Sequence, residues 1–355
     1  QAEDGIRDVL GGLVGSEMCI RDSSIAADGR KEAATVTTSP SDTTVLVTGA
    51  TGFIAKHCVL QLLEQGYRVR ATVRSAARAE TLRTTLTDHT VVDERLTFVT
   101  ADLTEDDGWA EAVEACPYVL HLASPFPLQD PEHEDDVIIP AREGTLRVLK
   151  AAAEAGVERL VLTSSTVAVT EGHPRDEAKI FDEDDWSTVD GDISAYARSK
   201  TLAERAAWDF MDSLDKENDL ELAVINPGLV LGPLLDSEYG TSGSPIQLAM
   251  TASYPAWPRF GFAPVDVRDV AAAHLAAMTT PDAAGKRFLC ATEHVWLQEI
   301  AQILSKHFSS RGYKIPTRQL PDFAVRIMAL FDGDARAIVR ILGQRTDIDN
   351  RRIKH

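Results

Sequence analysis

The sequence predicts an α/β fold, a doubly wound parallel sheet with a smaller C-terminal lobe. Three observations predict it. Short apolar runs alternate with helical patterns from residue 44 onward, the order that builds parallel strands joined by crossover helices. The first run, Val45 to Val47, ends in a turn with glycines at 49 and 52, and a helical pattern follows from Ile54 to about Glu64. The chain has 355 residues, 44% of them hydrophobic, enough for one large α/β domain or two lobes around a sizeable core.

Each residue of the turn Val45-Leu-Val-Thr-Gly49-Ala-Thr-Gly52-Phe-Ile-Ala55 has a physical task. Gly49 lets the chain leave the strand sharply. Gly52 has no Cβ, so backbone can approach a pyrophosphate. Ala55 is small enough for the helix to pack close to the sheet. The helix start offers free N–H groups and a partial positive charge. Strand, tight turn and helix in this order bind a dinucleotide. Gly49, Thr51, Gly52, Phe53 and Ile54 are therefore candidate cofactor-binding residues, and a Rossmann sheet is expected.

Composition excludes some classes. A net charge of −19 argues against a nucleic-acid surface, which needs a basic footprint. Cys19, Cys58, Cys116 and Cys290 form no CxxC pair, which fits a reducing compartment and points to no metal site. No stretch approaches the ~20 apolar residues of a membrane span, and the acidic N-terminus has no apolar signal segment, so a cytoplasmic location is expected. Residues 1–42 read as a disordered or non-native extension: Gly11-Gly-Leu-Val-Gly15 lacks periodicity and Ser39-Pro-Ser-Asp42 is a loop signal.

The second strand, Tyr67 to Val73, runs into Arg74 and Arg78, with no acidic residue from Arg68 to Ala79. An acidic side chain there suits the ribose of NAD, whereas a guanidinium grips the 2′-phosphate of NADP through two bonds. Arg74 thus favours NADP (NADPH). The alternative is a pair of solvated surface arginines. A third strand, Leu96 to Thr100, leads to Ala101-Asp102-Leu103. Asp102 is either an acceptor at the adenine edge, with Leu103 beside it, or the N-cap of the next helix.

A fourth strand, Tyr118 to Leu122, ends in small residues, Ala123 and Ser124, that let ribose and phosphates pass close. Pro125 and Phe126 begin a substrate-side loop. A helix is expected from about Pro140 to Ala155. The fifth strand, Arg159 to Thr163, is followed by Ser164-Ser165-Thr166. An acidic, irregular loop from His173 to Asp192 covers the site. Ser194-Ala-Tyr196-Ala-Arg-Ser-Lys200 then opens a helix to about Met211, and the four-residue spacing puts Tyr196 and Lys200 on one face. An ammonium near a phenol lowers its pKa from about 10 toward the working range, which makes a general acid. An ordinary surface pair has the same spacing.

The sixth strand, Leu220 to Ile225, ends in Asn226-Pro227-Gly228-Leu-Val230. Proline and glycine again bring backbone near a ligand. The segment from Leu234 to Phe262 is rich in Gly, Pro, Tyr and Trp and reads as substrate lobe. Asp269 is a candidate N-cap, and His274 reads as a packed helical residue. A strand from Gly285 to Cys290 and helices after Trp296 and Pro321 complete the chain. The domain reading is 1–42 extension, 43–228 dinucleotide-binding domain and 229–355 substrate lobe. Residues 264–290 return to the sheet, and the C-terminus is expected to be truncated.

Together these motifs resemble the extended short-chain dehydrogenase/reductase superfamily, in particular its dihydroflavonol reductase and cinnamoyl-CoA reductase group of aldehyde and ketone reductases. The resemblance runs from about Thr44 to about Leu342. It is carried by Gly49-Ala-Thr-Gly52-Phe-Ile-Ala55, Ala71-Thr-Val-Arg74-Ser75, Ala101-Asp102-Leu103, His121-Leu122-Ala123-Ser124-Pro125, Thr163-Ser-Ser165, Tyr196 with Lys200, Asn226-Pro227-Gly228 and Asp266-Val-Arg-Asp269. The resemblance implies that Tyr196 donates a proton to a carbonyl oxygen. Lys200 lowers the phenol pKa and binds the nicotinamide ribose. Ser165 holds the substrate oxygen, with Ser164 the other candidate, and Arg74 binds the 2′-phosphate. It also implies cofactor contacts from Thr163, Pro227 and Val230, and substrate contacts from Ser124, Pro125 and Phe126. The expected reaction is NADPH-dependent reduction of a hydrophobic aldehyde or ketone by a monomer or homodimer. The competing readings are an NAD-dependent nucleotide-sugar epimerase or dehydratase, a hydroxysteroid dehydrogenase-like enzyme, and a non-catalytic NADP-sensing regulator.

Overall fold

A computed structural model describes residues 39–125, 131, 133–176, 178–237, 241–331 and 333–354. The first half runs β1 (Thr44–Thr48), α1 (Phe53–Glu64), β2 (Arg68–Val73), α2 (Ala76–Thr87), β3 (Leu96–Thr100), α3 (Trp109–Val113), β4 (Tyr118–His121), α4 (Asp135–Glu154) and β5 (Arg159–Thr163). The second half continues with α5 (Val167–Thr170), β6 (Ile180–Phe181), α6 (Ala195–Ser213), β7 (Glu221–Pro227), β8 (Leu229–Leu231), α7 (Ser244–Met250), β9 (Gly261–Phe262), β10 (Pro264–Asp266) and α8 (Val267–Thr279). It ends with β11 (Lys286–Cys290), β12 (Val295–Trp296), α9 (Leu297–Phe308), α10 (Asp322–Met328), α11 (Gly333–Ile341), β13 (Asp347–Ile348) and α12 (Arg351–Lys354).

Seven strands form one parallel sheet in the order β11-β7-β5-β4-β1-β2-β3. This is the doubly wound Rossmann arrangement. Its strand order reverses between β1 and β4, where the carboxyl ends leave a crevice for a ligand. The strands read as apolar runs because both faces are covered. All five residues of β5 are buried, and β1 is buried from Val45 to Thr48. On one face α1 and α8 pack together through residues such as Val59, Leu62, Val270 and Met278. On the other, α4 lies along α6 and buries Val148, Leu149 and Ala207. A separate core of Trp257, Ile300, Leu304 and Phe308 holds the C-terminal lobe.

Three local expectations are corrected. The fourth helix starts at Asp135, with Asp136 beside it in the first turn, where acidic side chains suit the helix dipole. Pro140 lies inside α4, near its start, where its missing N–H costs one early helix bond. The N-cap of α8 is Asp266, whose Oδ1 accepts the Arg268 N–H at 2.8 Å, and not Asp269. The N-cap of α3 is Gly108, and not Asp102. The 173–192 segment is also less irregular than its composition suggests: β6 pairs in parallel with β13.

The two lobes are tied behind the glycine turn. Lys56 of α1 forms an ion pair with Asp236, and His57 Nε2 lies 3.0 Å from the Pro233 carbonyl. His89 Nε2 lies 3.1 Å from the Leu235 carbonyl. The segment after β8 is therefore strapped to the first two helices. Among the described residues, no helix is long and apolar enough to cross a membrane.

Candidate active site

The β1–α1 turn folds as its glycines require. Gly49 has φ +62°, and a Cβ there would sit 2.8 Å from Cα of Ala123. Only glycine satisfies both the left-handed backbone and the contact with the end of β4. The Gly49 N–H donates to Thr72 Oγ1 at 3.0 Å, and Gly52 caps α1 without a side chain. The first amides of α1 therefore have no side-chain cap, the arrangement that receives a phosphate. The Thr48 hydroxyl accepts from the Leu122 and Ala123 amides at 3.1 and 3.0 Å, and so gives its own proton to His121 Nδ1 at 2.8 Å. These bonds lock the carboxyl ends of β1 and β4 together at the point where the strand order reverses.

A cavity of about 470 Å³ opens over this junction. Gly49, Thr51, Gly52, Arg74, Asp102, Leu103, Leu122, Ala123, Ser124 and Pro125, each expected from the sequence, line it. Arg74 is exposed on the rim, free to face an anion. Asp102 Oδ1 accepts from the Thr104 amide and hydroxyl at 2.9 and 2.8 Å, which holds this carboxyl below its usual range. Thr72, from the Ala71–Ser75 stretch, also lines the cavity, as do Trp109 and Pro140, which belong to no recognisable motif. The cavity's uncapped helix start, the fit of its glycine turn and its exposed arginine match a dinucleotide with an anionic ribose.

Other expected residues lie elsewhere. Phe53 and Ile54 pack partly buried against the core, and Val230 is buried in β8 at 5% exposure, so none of them lines the cavity. Phe126 lies outside the described residues. Thr163, Ser165, Tyr196, Lys200, Pro227 and Gly228 gather instead around the carboxyl ends of β5 and β7 and the first turns of α6. Ser194 caps α6 by accepting the Ala197 amide at 3.1 Å, which starts the helix one residue before Tyr196. The Thr166 amide donates to the Pro227 carbonyl at 3.0 Å. A Cβ on Gly228 would meet the Ala263 carbonyl at 2.0 Å, so glycine is required for β7 to pass into β8.

The two serines are divided by their partners. Ser165 is hydrogen-bonded to Tyr196. Ser164 donates at 2.5 Å to Glu204 Oε2, a carboxylate with no exposed surface. Lys200 is 7% exposed and its Nζ reaches the Thr163 carbonyl at 3.5 Å. Burial brings its ammonium down to about 8, with Glu204 acting in the opposite direction.

The phenol departs from the expectation for this pair. Burial pushes Tyr196 up to about 12, and only the Ser165 hydrogen bond draws it down. Desolvation of the phenolate dominates here, so Tyr196 keeps its proton throughout the neutral range. His274 is fully buried, as its helical setting implied, and also bonds Thr163 Oγ1 through Nε2 at 2.7 Å. Sequence reading missed Glu204 and Arg287. The signal for Glu204 was present: 196, 200 and 204 share one helix face.

Comparison with known proteins gives the family of the chain. The pattern of the NAD dependent epimerase/dehydratase family matches residues 45–291. Cinnamoyl-CoA reductase 1 of Petunia hybrida is 41% identical over 283 residues, covering 79% of this chain and 81% of the relative. The bifunctional dihydroflavonol 4-reductase/flavanone 4-reductase of Malus domestica is 35% identical, with 77% and 78% coverage. Among solved structures, the yeast methylglyoxal/isovaleraldehyde reductase Gre2, complexed with NADPH, superposes with a TM-score of 0.72 at 28% identity. That match covers 88% of this chain and 92% of the neighbour. With its uncapped helix over a glycine turn, and its serine, tyrosine and lysine at the ends of β5 and α6, the chain belongs to the NAD dependent epimerase/dehydratase family, the extended short-chain dehydrogenases/reductases, and is an NAD(P)-dependent reductase of it.

Proposed function

We propose that this enzyme reduces the carbonyl group of an aldehyde or ketone with NADPH. The observation that carries the reading is the Ser165–Tyr196 hydrogen bond, with Lys200 one helix turn further on. When bound, NADPH supplies the hydride. Ser165 holds the substrate oxygen and keeps it against Tyr196. Tyr196, protonated at neutral pH, gives that oxygen its proton. Lys200 places a positive charge near the phenolate that remains and holds the ribose hydroxyls. The sum is one carbonyl and one proton converted, with the hydride, to one alcohol.

Arg74 on the cavity rim supports NADP over NAD, because a guanidinium matches a 2′-phosphate. Ser124 and Pro125, beside the cavity, are the substrate-side residues of this reading, together with Phe126. Residues 43–228 form the cofactor domain and 229–355 the substrate lobe, with 264–290 returning to the sheet. The test is consumption of NADPH by the purified protein against a panel of aliphatic aldehydes, diketones and aryl ketones, with NADH in parallel. Carbonyl-dependent oxidation of NADPH is expected. Tight NADPH binding without consumption across the panel overturns the reading in favour of a sensor.

A further inference from the structure

Glu204 is a carboxylate with no exposed surface, and four donors converge on it. Ser164 Oγ and Asn226 Nδ2 donate to Oε2 at 2.5 and 2.8 Å, and Arg287 Nε donates to Oε1 at 2.5 Å. The Trp208 indole N–H lies at 3.5 Å from Oε1. Each partner holds something else. The Asn226 amide also donates to the Ser165 carbonyl at 3.2 Å. The Arg287 guanidinium stacks on Trp186 at 3.8 Å and donates to the carbonyls of Glu183 and Asp185 at 2.9 and 2.7 Å, so it seats the acidic loop. Through Asn226 and Ser164, then, one carboxylate grips the backbone and side chain of adjacent residues at the end of β5.

A buried ion pair contributes little net stability, because desolvating two charges offsets their attraction. Well-packed apolar residues would fill this space at least as well. The position of the carboxylate gives it another use. It lies one helix turn beyond Lys200, on the same face, and a single donor, the Asn226 amide, links it to Ser165.

We propose that Glu204 is a positioning residue of the reduction site: its carboxylate fixes the Ser164–Ser165 strand end against Tyr196 and supplies the negative charge that keeps Lys200 an ammonium. The proposal rests on the reductase reading for its kinetic consequences, but not for the charge of Lys200. The charged and titratable groups around this centre are few. Lys200 and Tyr196 share the helix with Glu204, Arg287 faces it from β11, and His121 faces Lys200 from β4 and is neutral, held down to about 3 by burial. Of these, only Glu204 bears a carboxyl group. Losing it leaves Lys200 with burial, which favours the uncharged amine.

Glu204→Gln removes the charge at almost constant shape. Lysine 13Cε NMR, with the Lys200 signal assigned from Lys200→Met, reads the titration without reference to activity. A fall of about one pH unit in the Lys200 midpoint is expected. In turnover, kcat is expected to drop about tenfold, with the KM for NADPH changed much less and the alkaline limb moved to lower pH. Glu204→Asp is expected to restore most of both. Ser164→Ala keeps the charge and cuts one tie to the strand end. It is expected to lower kcat without moving the Lys200 midpoint, and it decides the positioning half of the proposal if Glu204→Gln does not fold. An unchanged Lys200 midpoint in folded Glu204→Gln, or a midpoint in Glu204→Asp that falls as far as in Glu204→Gln, overturns the electrostatic role. Unchanged kcat in Ser164→Ala overturns the positioning role. A wild-type protein without carbonyl turnover, but with the shifted midpoint, would fail the reductase reading and leave the charge assignment standing.

Discussion

The Thr163 hydroxyl and Nε2 of His274 lie 2.7 Å apart, both buried. The other ring nitrogen, Nδ1, lies 2.8 Å from the Val270 carbonyl and must donate to it, so Nε2 is bare and accepts the threonine proton. The Thr163 carbonyl in turn accepts from Lys200. A neutral histidine on α8 thereby fixes the strand end that holds the ammonium.

This arrangement makes stability sensitive to acid. Burial holds His274 down to about 4 and His121 to about 3, against an ordinary value of 6.5. Unfolding frees both rings to bind protons, so below pH ~6.5 the unfolded chain takes up more protons than the folded one. Their stabilising contribution is complete above that pH and is lost progressively as pH falls toward 4 and 3. Between pH 7 and pH 5 each ring is expected to cost about 2 kcal/mol. Denaturant unfolding at several pH values checks this. Replacing His274 by Gln should reduce the slope by about half, and an unchanged slope would assign the acid sensitivity to other groups.

Arg74 carries the choice of cofactor. Its exposed guanidinium lines the cavity beside Asp102 and has no acidic neighbour on its own loop. Arg74→Ala should raise the KM for NADPH about ten- to a hundredfold, the worth of a charged hydrogen bond, and leave that for NADH nearly unchanged. Equal effects on both dinucleotides would make Arg74 a general surface charge.

Two glycines should resist substitution for different reasons. Gly49→Ala meets both a left-handed backbone and Ala123, and should weaken NADPH binding together with stability. Gly228→Ala meets the Ala263 carbonyl in the passage from β7 to β8, and should destabilise by about 2 kcal/mol or more through backbone displacement. Fluorescence titration of NADPH and denaturant midpoints separate the two. A Gly49→Ala protein of full stability and full affinity would contradict the account of the turn.

The doubly wound sheet was legible because each strand is a short apolar run and each crossover has a helical period. The glycine turn was legible because backbone sterics leave little choice of residue. Capping was less legible. Asp266 and Asp269 both suit an N-cap, and only the backbone at Asp266, extended while the next residues are helical, decides between them. Pro140 misled because a proline reads as a helix start, whereas the acidic turn of Asp135 and Asp136 precedes it. The hub at Glu204 depends on Arg287, 83 residues away in sequence, and on Asn226 in a third element. No local pattern records such a meeting. The raised phenol of Tyr196 was also hidden, since spacing gives the proximity of Lys200 but not the degree of burial.

Tyr196 is the residue on which the reductase reading depends most. Tyr196→Phe keeps the ring and removes the proton, so it tests the chemistry with little change in packing. With the best carbonyl substrate of the panel, kcat should fall about a hundredfold or more, while NADPH binds as in the wild type. Turnover in Tyr196→Phe at the wild-type rate would contradict the assignment of the proton to this phenol and, with it, the proposed mechanism.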